Sequence, residues 1–293
     1  MSRTRDACRL DCPAQQGLPG GCGNCPDGDG YPPTRPRHPA QLPVLFGGRA
    51  VDLSSIRGEL AARGIAVIED AAHAFGSRNG ARRVGATGDL TCFSFGPIKN
   101  LTCGQGGIVI PRSDVEAATL RRIRMLGVVQ SQAERAQTTR YGVEGFGLRY
   151  QMSGINAAIG LAQLPHFEKT ETIRRSLWRA YRRALAGLDG VTLVDVDPDR
   201  SVPHLCQVRI PHRDEVHAQM KACGIGVGVH YPPNHLQPAF AEWRRDLPAT
   251  ERVGREIPDA TFHQHLTEAD IGQVVTALGR ALKTAGAAPC ARS

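Results

Sequence analysis

From Leu42 onward the apolar positions recur with two periods in turn, which predicts an α/β chain. Residues 43–46 read as a strand. Asp52 stands where a helix N-cap belongs, Leu53, Ile56 and Leu60 follow at helical spacing, and Gly64 ends the helix. Residues 65–68 form the next strand and run on into Glu69-Asp70, so a strand-helix-strand unit of the kind found in parallel sheets finishes on a carboxylate. Residues 90–95 and 107–110 predict two more short strands, with Lys99 in the loop between them. A helix is expected from about 115 to 125, and the Gly- and aromatic-rich stretch 141–151 reads as a loop.

Residues 156–163 are Ala-rich and helical, and Leu177, Tyr181, Leu185 and Leu188 extend an apolar stripe at spacings of three and four. This long helical region is expected to link two domains. Beyond it, strand-like runs at 191–194, 205–210 and 227–231 alternate with a helix at 215–222, which predicts a small α/β domain. Thr267 and Asp270 form a capping-box pattern ahead of Ile271, Val274, Val275 and Leu278, an amphipathic closing helix. The expected organisation is a Cys-, Pro- and Gly-rich tail over 1–40, a large domain over 41–165 and a small α/β domain over 166–293.

At 293 residues with 41% hydrophobic content, the chain is long enough for one large domain or two ordinary ones. It contains no apolar run of the length that spans a membrane and no apolar signal-peptide core, so a cytoplasmic protein is expected. The net charge of +8 is spread along the chain as arginines, without the aromatic-interleaved basic cluster of a nucleic-acid binder; a basic protein of this kind also suits phosphorylated small molecules. Of nine cysteines, Cys92, Cys103 and Cys206 lie in apolar or Gly-rich surroundings typical of free thiols in a reducing compartment. Cys8, Cys12, Cys22 and Cys25 cluster in the tail, where paired thiolates offer a zinc-binding alternative or simply unstructured thiols.

The candidate chemistry gathers around Lys99. It follows Phe93-Ser94-Phe95-Gly96-Pro97-Ile98 and precedes the Gly-rich 103–107. A lysine there is either a surface loop residue or a partly buried amine able to bond an aldehyde and move protons. Asp70, at a strand end, either caps the following segment or faces a pyridine nitrogen. A carboxylate at one strand end and an amine near another suit pyridoxal phosphate, whose ring nitrogen needs an anion and whose aldehyde needs an amine. Ser94 is a phosphate donor or a small polar strand residue, and His73 a cofactor contact or a packed histidine.

Taken in order, these residues resemble a known family. Val67-Ile68-Glu69-Asp70-Ala71-Ala72-His73-Ala74-Phe75-Gly76, then Gly88-Asp89, Phe93-Ser94-Phe95 with Lys99, and Gly104-Gln105-Gly106-Gly107 are similar to the DegT/DnrJ/StrS sugar aminotransferases. The stretch from Tyr150-Gln151-Met152-Ser153-Gly154 to Leu164, and Gly228-Val229-His230-Tyr231-Pro232-Pro233, continue the likeness over about 42–285.

The resemblance implies a fold-type I pyridoxal-phosphate enzyme: part of the large domain, with a mostly parallel sheet and flanking helices, followed by a smaller C-terminal α/β domain. It implies amino transfer, usually from glutamate, to a keto group on a nucleotide-linked sugar. By motif position Lys99 would bond the cofactor, Asp70 would pair with its ring nitrogen, His73 would lie near its ring oxygen, and Ser94 would bind its phosphate. Arg149 stands where many members place an Asn that reaches the phosphate of the neighbouring subunit. His230, Tyr231 and His235 would line the sugar side, or else belong to a Pro-rich packed turn. The resemblance also implies a homodimer, or pairing with a full-length subunit. Residues 1–40 hold no Ser-Gly-Thr phosphate turn, so the chain reads as entering the family pattern midway through the large domain, with a catalytically impaired member as the alternative.

Overall fold

The computed structural model describes residues 39–285, so Cys8, Cys12, Cys22 and Cys25, and the zinc alternative built on them, lie outside the described residues. The described residues divide into two compact units, 39–41 with 56–66 and 42–55 with 67–285. In the described part of the smaller unit, β1 (Ala40–Gln41) is exposed and the Ala66 N–H donates to the Pro39 carbonyl at 3.0 Å. Helix α1 (Ser54–Ala62) buries none of its residues, and Gly64 takes φ +65° just beyond it.

The larger unit holds the sheet on which the site is built. β2 (Ala66–Asp70) alternates half-buried and buried positions, the period-2 signature of a pleated strand, and pairs in parallel with β5 (Leu90–Ser94), Asp70 opposite Cys92. β6 (Gly107–Ile110) then runs antiparallel to β5, Ser94 opposite Gly107. A short hairpin, β3 (Arg78–Asn79) with β4 (Arg82–Arg83), leads from β2 toward β5. The ring of Phe75 sits edge-on to Phe93, Phe95 and Phe167 at 4.9–5.4 Å between centroids and ties the core of this sheet together. Glu69, buried in the same strand, is satisfied by the hydroxyls of Thr91 at 2.8 Å and Thr87 at 3.2 Å.

Residues 43–46 do not form the expected strand. Val44 makes only an isolated parallel bridge to Asp70, and the chain turns at Phe46–Gly48, because Gly47 and Gly48 adopt φ +65° and +98°. Helix α2 (Asp114–Ile123), the short helix α3 (Gln132–Ala136) and helix α4 (Gly154–Gln163) follow. α2 and α4 bury no residue, Ile108 and Val109 of β6 are exposed, and a groove of about 770 Å3 lies among them. The long helical region is interrupted at a 3-10 turn containing Pro165 before α5 (Phe167–Leu185) begins.

The C-terminal part is a three-stranded antiparallel sheet in the order β7 (Thr192–Leu193), β8 (Cys206–Arg209), β9 (Asp259–Ala260). α5, α6 (Arg213–Ala222) and α8 (Glu268–Thr284) pack with it around Leu177, Tyr181, Val208, Met220 and Leu278. Helix α7 (Pro248–Glu256) precedes β9. The Thr267–Asp270 capping box is present as expected, with each partner bonding the other's backbone N–H. Residues 227–231 are not a strand: Gly228 alone bridges Asp259, since Pro232 and Pro233 bring no N–H to a ladder. Together these elements make the mixed α/β fold expected from the sequence.

Leu278 is 4% exposed at the centre of the C-terminal core. Leu278→Ala is expected to cost about 2–5 kcal/mol, read as a lower denaturation midpoint with an unchanged slope on denaturant.

Candidate active site

One segment, 200–204, organises the site. Arg174 on α5 is buried, donating from Nε to the Pro203 carbonyl at 2.7 Å, from Nη2 to the His204 carbonyl at 2.8 Å and from Nη1 to Gln264 at 3.1 Å. The guanidinium also lies over the Phe262 ring, 4.8 Å from its centroid. From the other side, the His204 N–H donates to the Gly47 carbonyl at 2.8 Å, and the Ser77 hydroxyl links the Gly48 carbonyl to the Val202 N–H. A Cβ at Gly48 would lie 2.2 Å from the Val202 oxygen, so only glycine permits this approach.

This segment presents His204 to the Lys99 loop. Asn100, next to Lys99, donates from Nδ2 to the Val202 carbonyl at 3.2 Å, which leaves its oxygen to accept from His204 Nδ1 at 3.0 Å. The His204 ring packs on His73, 4.3 Å between centroids, and His73 Nδ1 accepts the Gly47 N–H at 3.3 Å. His73 therefore carries its proton on Nε2 and His204 on Nδ1; Nε2 of His204 is buried without a partner. Burial, then the Lys99 charge, lowers His73 to about 4. Burial, then His73 and Arg174, lowers His204 to about 2.

Lys99 is half-buried, and that desolvation pulls its amine below the ordinary lysine value while the Asp70 charge draws it back up. Asp70 Oδ1 accepts the Ala72 N–H at 3.1 Å at the end of β2, so its capping role is real and leaves the carboxylate within electrostatic reach of Lys99, His73 and Tyr231. Ser94 Oγ accepts the Gly96 N–H at 3.4 Å in the same turn; a Cβ at Gly96 would stand 3.7 Å from that oxygen and 3.9 Å from Lys99 Cγ.

The structure brings His230 and Tyr231 to this group as well. The Tyr231 ring is edge-on to Phe46 at 6.1 Å and to His230 at 4.8 Å, and burial, Asp259 and Asp70 raise its hydroxyl. His230 Nδ1 bonds the Asp259 carboxylate. His235 instead pairs through Nε2 with Glu251 on α7 at 3.2 Å. Arg149 is exposed and bridges Met125 through its backbone. Cys103 and Cys206 are buried free thiols. Asn100, Arg174, His204 and Asp259 were not legible as site residues: only the position of Asn100 beside Lys99 offered a signal. Among the described residues no group of His, Cys, Asp and Glu is placed to hold a metal, and no helix is long and apolar enough to cross a membrane.

A family model described as the DegT/DnrJ/EryC1/StrS aminotransferase family matches residues 34–279. Among solved structures, DesV from S. venezuelae, in complex with a ketimine intermediate, is 34% identical with a TM-score of 0.75, over 84% of this chain and 66% of that one. AtS13 from Actinomadura melliaura is 30% identical with a TM-score of 0.74, over 84% and 67%. Spr1654 from Streptococcus pneumoniae, in its PLP form, shares the fold at 20% identity and a TM-score of 0.75, over 84% and 68%. The chain spans 66% of the length of DesV, just under two thirds.

The two buried imidazoles set a pH dependence. Unfolded, each takes up a proton near its ordinary value of 6.5, whereas the folded chain holds His73 neutral to about 4 and His204 to about 2. Stability is then complete above pH 6.5 and falls as the pH drops through 6.5 toward those values. Urea midpoints measured down a pH series are expected to fall in this window, less steeply in His204→Gln.

Proposed function

We propose, from the premise that the chain belongs to the DegT/DnrJ/EryC1/StrS aminotransferase family, that it moves an amino group from an amino acid, glutamate, to a keto group on a nucleotide-linked sugar. The observation that carries the reading is the partly desolvated amine of Lys99 in electrostatic contact with Asp70 and flanked by neutral imidazoles. Enzymes of this family depend on pyridoxal phosphate, and the donor set here matches its needs: an amine with a lowered pKa, a carboxylate at a strand end, and a hydroxyl in a glycine-relieved turn.

When bound, pyridoxal phosphate supplies an aldehyde that captures amines and a ring that withdraws electrons from the carbon under attack. Lys99 Nζ would hold the aldehyde, and its lowered pKa favours the neutral amine that also accepts and returns a proton. Asp70 would keep a proton on the ring nitrogen, and His73, protonated on Nε2, has a donor to offer the ring oxygen. Ser94 would donate to the phosphate. Arg149, exposed on its loop, would reach the cofactor phosphate of a neighbouring subunit. His230 and Tyr231 would face the sugar, with His235 held behind them by Glu251. The proposed setting is the cytoplasm, with a homodimer or a pairing with a full-length subunit.

The uncovered faces of β6, α2 and α4 favour a second reading, an impaired member of the same family that holds cofactor weakly. Mixing the purified chain with pyridoxal phosphate is expected to give a visible absorbance band that Lys99→Ala abolishes, and the band is expected to bleach on adding glutamate. A band that is lost on gel filtration, without transfer to a keto sugar nucleotide, supports the impaired reading. No band at any cofactor concentration sinks the first.

A further inference from the structure

His230 and Asp259 meet where the 226–231 segment crosses β9. Gly228 and Asp259 exchange backbone bonds, Gly228 N–H to the Asp259 carbonyl at 3.3 Å and the reverse at 2.9 Å, and Gln207, opposite Asp259 on β8, donates from Nε2 to the His230 carbonyl at 3.0 Å. A side chain at 228 would crowd the pair, since a Cβ there stands 3.3 Å from both Asp259 Oδ2 and His230 Cε1. The carboxylate is 6% exposed and its Oδ1 is buried without a partner, so its hydrogen bonding rests on His230 Nδ1. A buried carboxylate held in this way demands a proton on Nδ1, which makes Nε2 the nitrogen the ring has to offer. The ring is held at its backbone and at Nδ1, beside Tyr231; the charges acting in this neighbourhood are those of Asp259, Asp70 and Lys99, with His73 and His204 kept neutral.

We propose that Asp259 is a positioning residue for the amino-transfer reaction: by accepting the Nδ1 proton of His230 it makes His230 Nε2 the group that exchanges a proton with a hydroxyl of the sugar. The proposal rests on the reading given under Proposed function. The proton leaves the ligand O–H, whose bonding pair stays on oxygen, and joins the Nε2 lone pair. The Asp259 carboxylate balances the imidazolium, and return of the proton restores both partners. Lys99 and His230 thereby become two separate proton carriers, one on the cofactor side and one on the sugar side.

Two measurements test this. In the cofactor-free full chain labelled with 15N-histidine, at about pH 9 where free imidazoles are neutral, His230 is expected as the Nδ1–H tautomer. Asp259→Asn, which offers Nδ1 either an oxygen or an NH2 group, is expected to mix the tautomers while the thermal midpoint stays within a few degrees. A dominant Nε2–H form in the unmodified chain, or an unchanged tautomer in Asp259→Asn, overturns the proposal. In the transfer assay, Asp259→Asn and His230→Gln are expected to lower kcat by about 100-fold or more, with KM for the sugar changed less than about threefold and partial rescue in Asp259→Glu. Loss confined to KM means a purely structural role and also overturns it. A chain that transfers no amino group fails the functional reading instead, and the nitrogen shifts then decide the role of Asp259 alone.

Discussion

The buried guanidinium of Arg174 is the constraint on which the site depends. Burial lowers its pKa to about 10, and an unpaired charge at that depth would cost several kcal/mol. Its fork is matched instead by two backbone carbonyls, an amide oxygen and an aromatic face. Because the carbonyls belong to Pro203 and His204, the same bonds that satisfy Arg174 fix the one segment that touches both Gly47 and Asn100. Helix α5, a core element of the C-terminal part, is thereby joined rigidly to the loop that carries Lys99.

The consequence of this anchor is electrostatic. A segment pinned on both sides excludes water from His204 and, through ring contact, from His73, and both imidazoles are held neutral. Held neutral, these rings add no like charge to the Lys99 neighbourhood; burial lowers the amine and Asp70 limits how far it falls. The opposite arrangement holds at His230, where a buried carboxylate, Asp259, imposes a proton on its histidine partner. The imidazoles thus differ by environment: His73 and His204 are held neutral by burial, while the His230 ring is fixed by a carboxylate.

Much of this was legible along the chain. The alternating burial of β2, the turn after β5, the capping box of α8, the strand-end position of Asp70 and the loop position of Lys99 all follow from local periodicity and turn chemistry, which act over a few residues. Where strand patterning and structure part, the cause lies just beyond the strand-like run. Residues 43–46 have strand composition, but the glycine pair at 47–48 turns the chain before a ladder can grow; residues 227–231 read as a strand-like run, yet the prolines after them bring no donors to extend a ladder. Arg149 is paired to Met125 through its backbone alone, and His235 is paired to Glu251, neither of which motif position could indicate.

By itself the sequence determined the α/β class, through local periodicity, and the family, through ordered motifs, and it pointed to Lys99 and Asp70 as the amine and carboxylate of the proposed site. Only the tertiary structure decided which histidines are neutral, which nitrogen each offers, and that Arg174, Asn100, His204 and Asp259 belong to the site. Those properties arise between residues 26 to 104 positions apart, His73 with Gly47 and His204 with Asn100 among them. Desolvation and tautomer choice depend on what closes around a side chain, and no pattern along the chain records its neighbours across it.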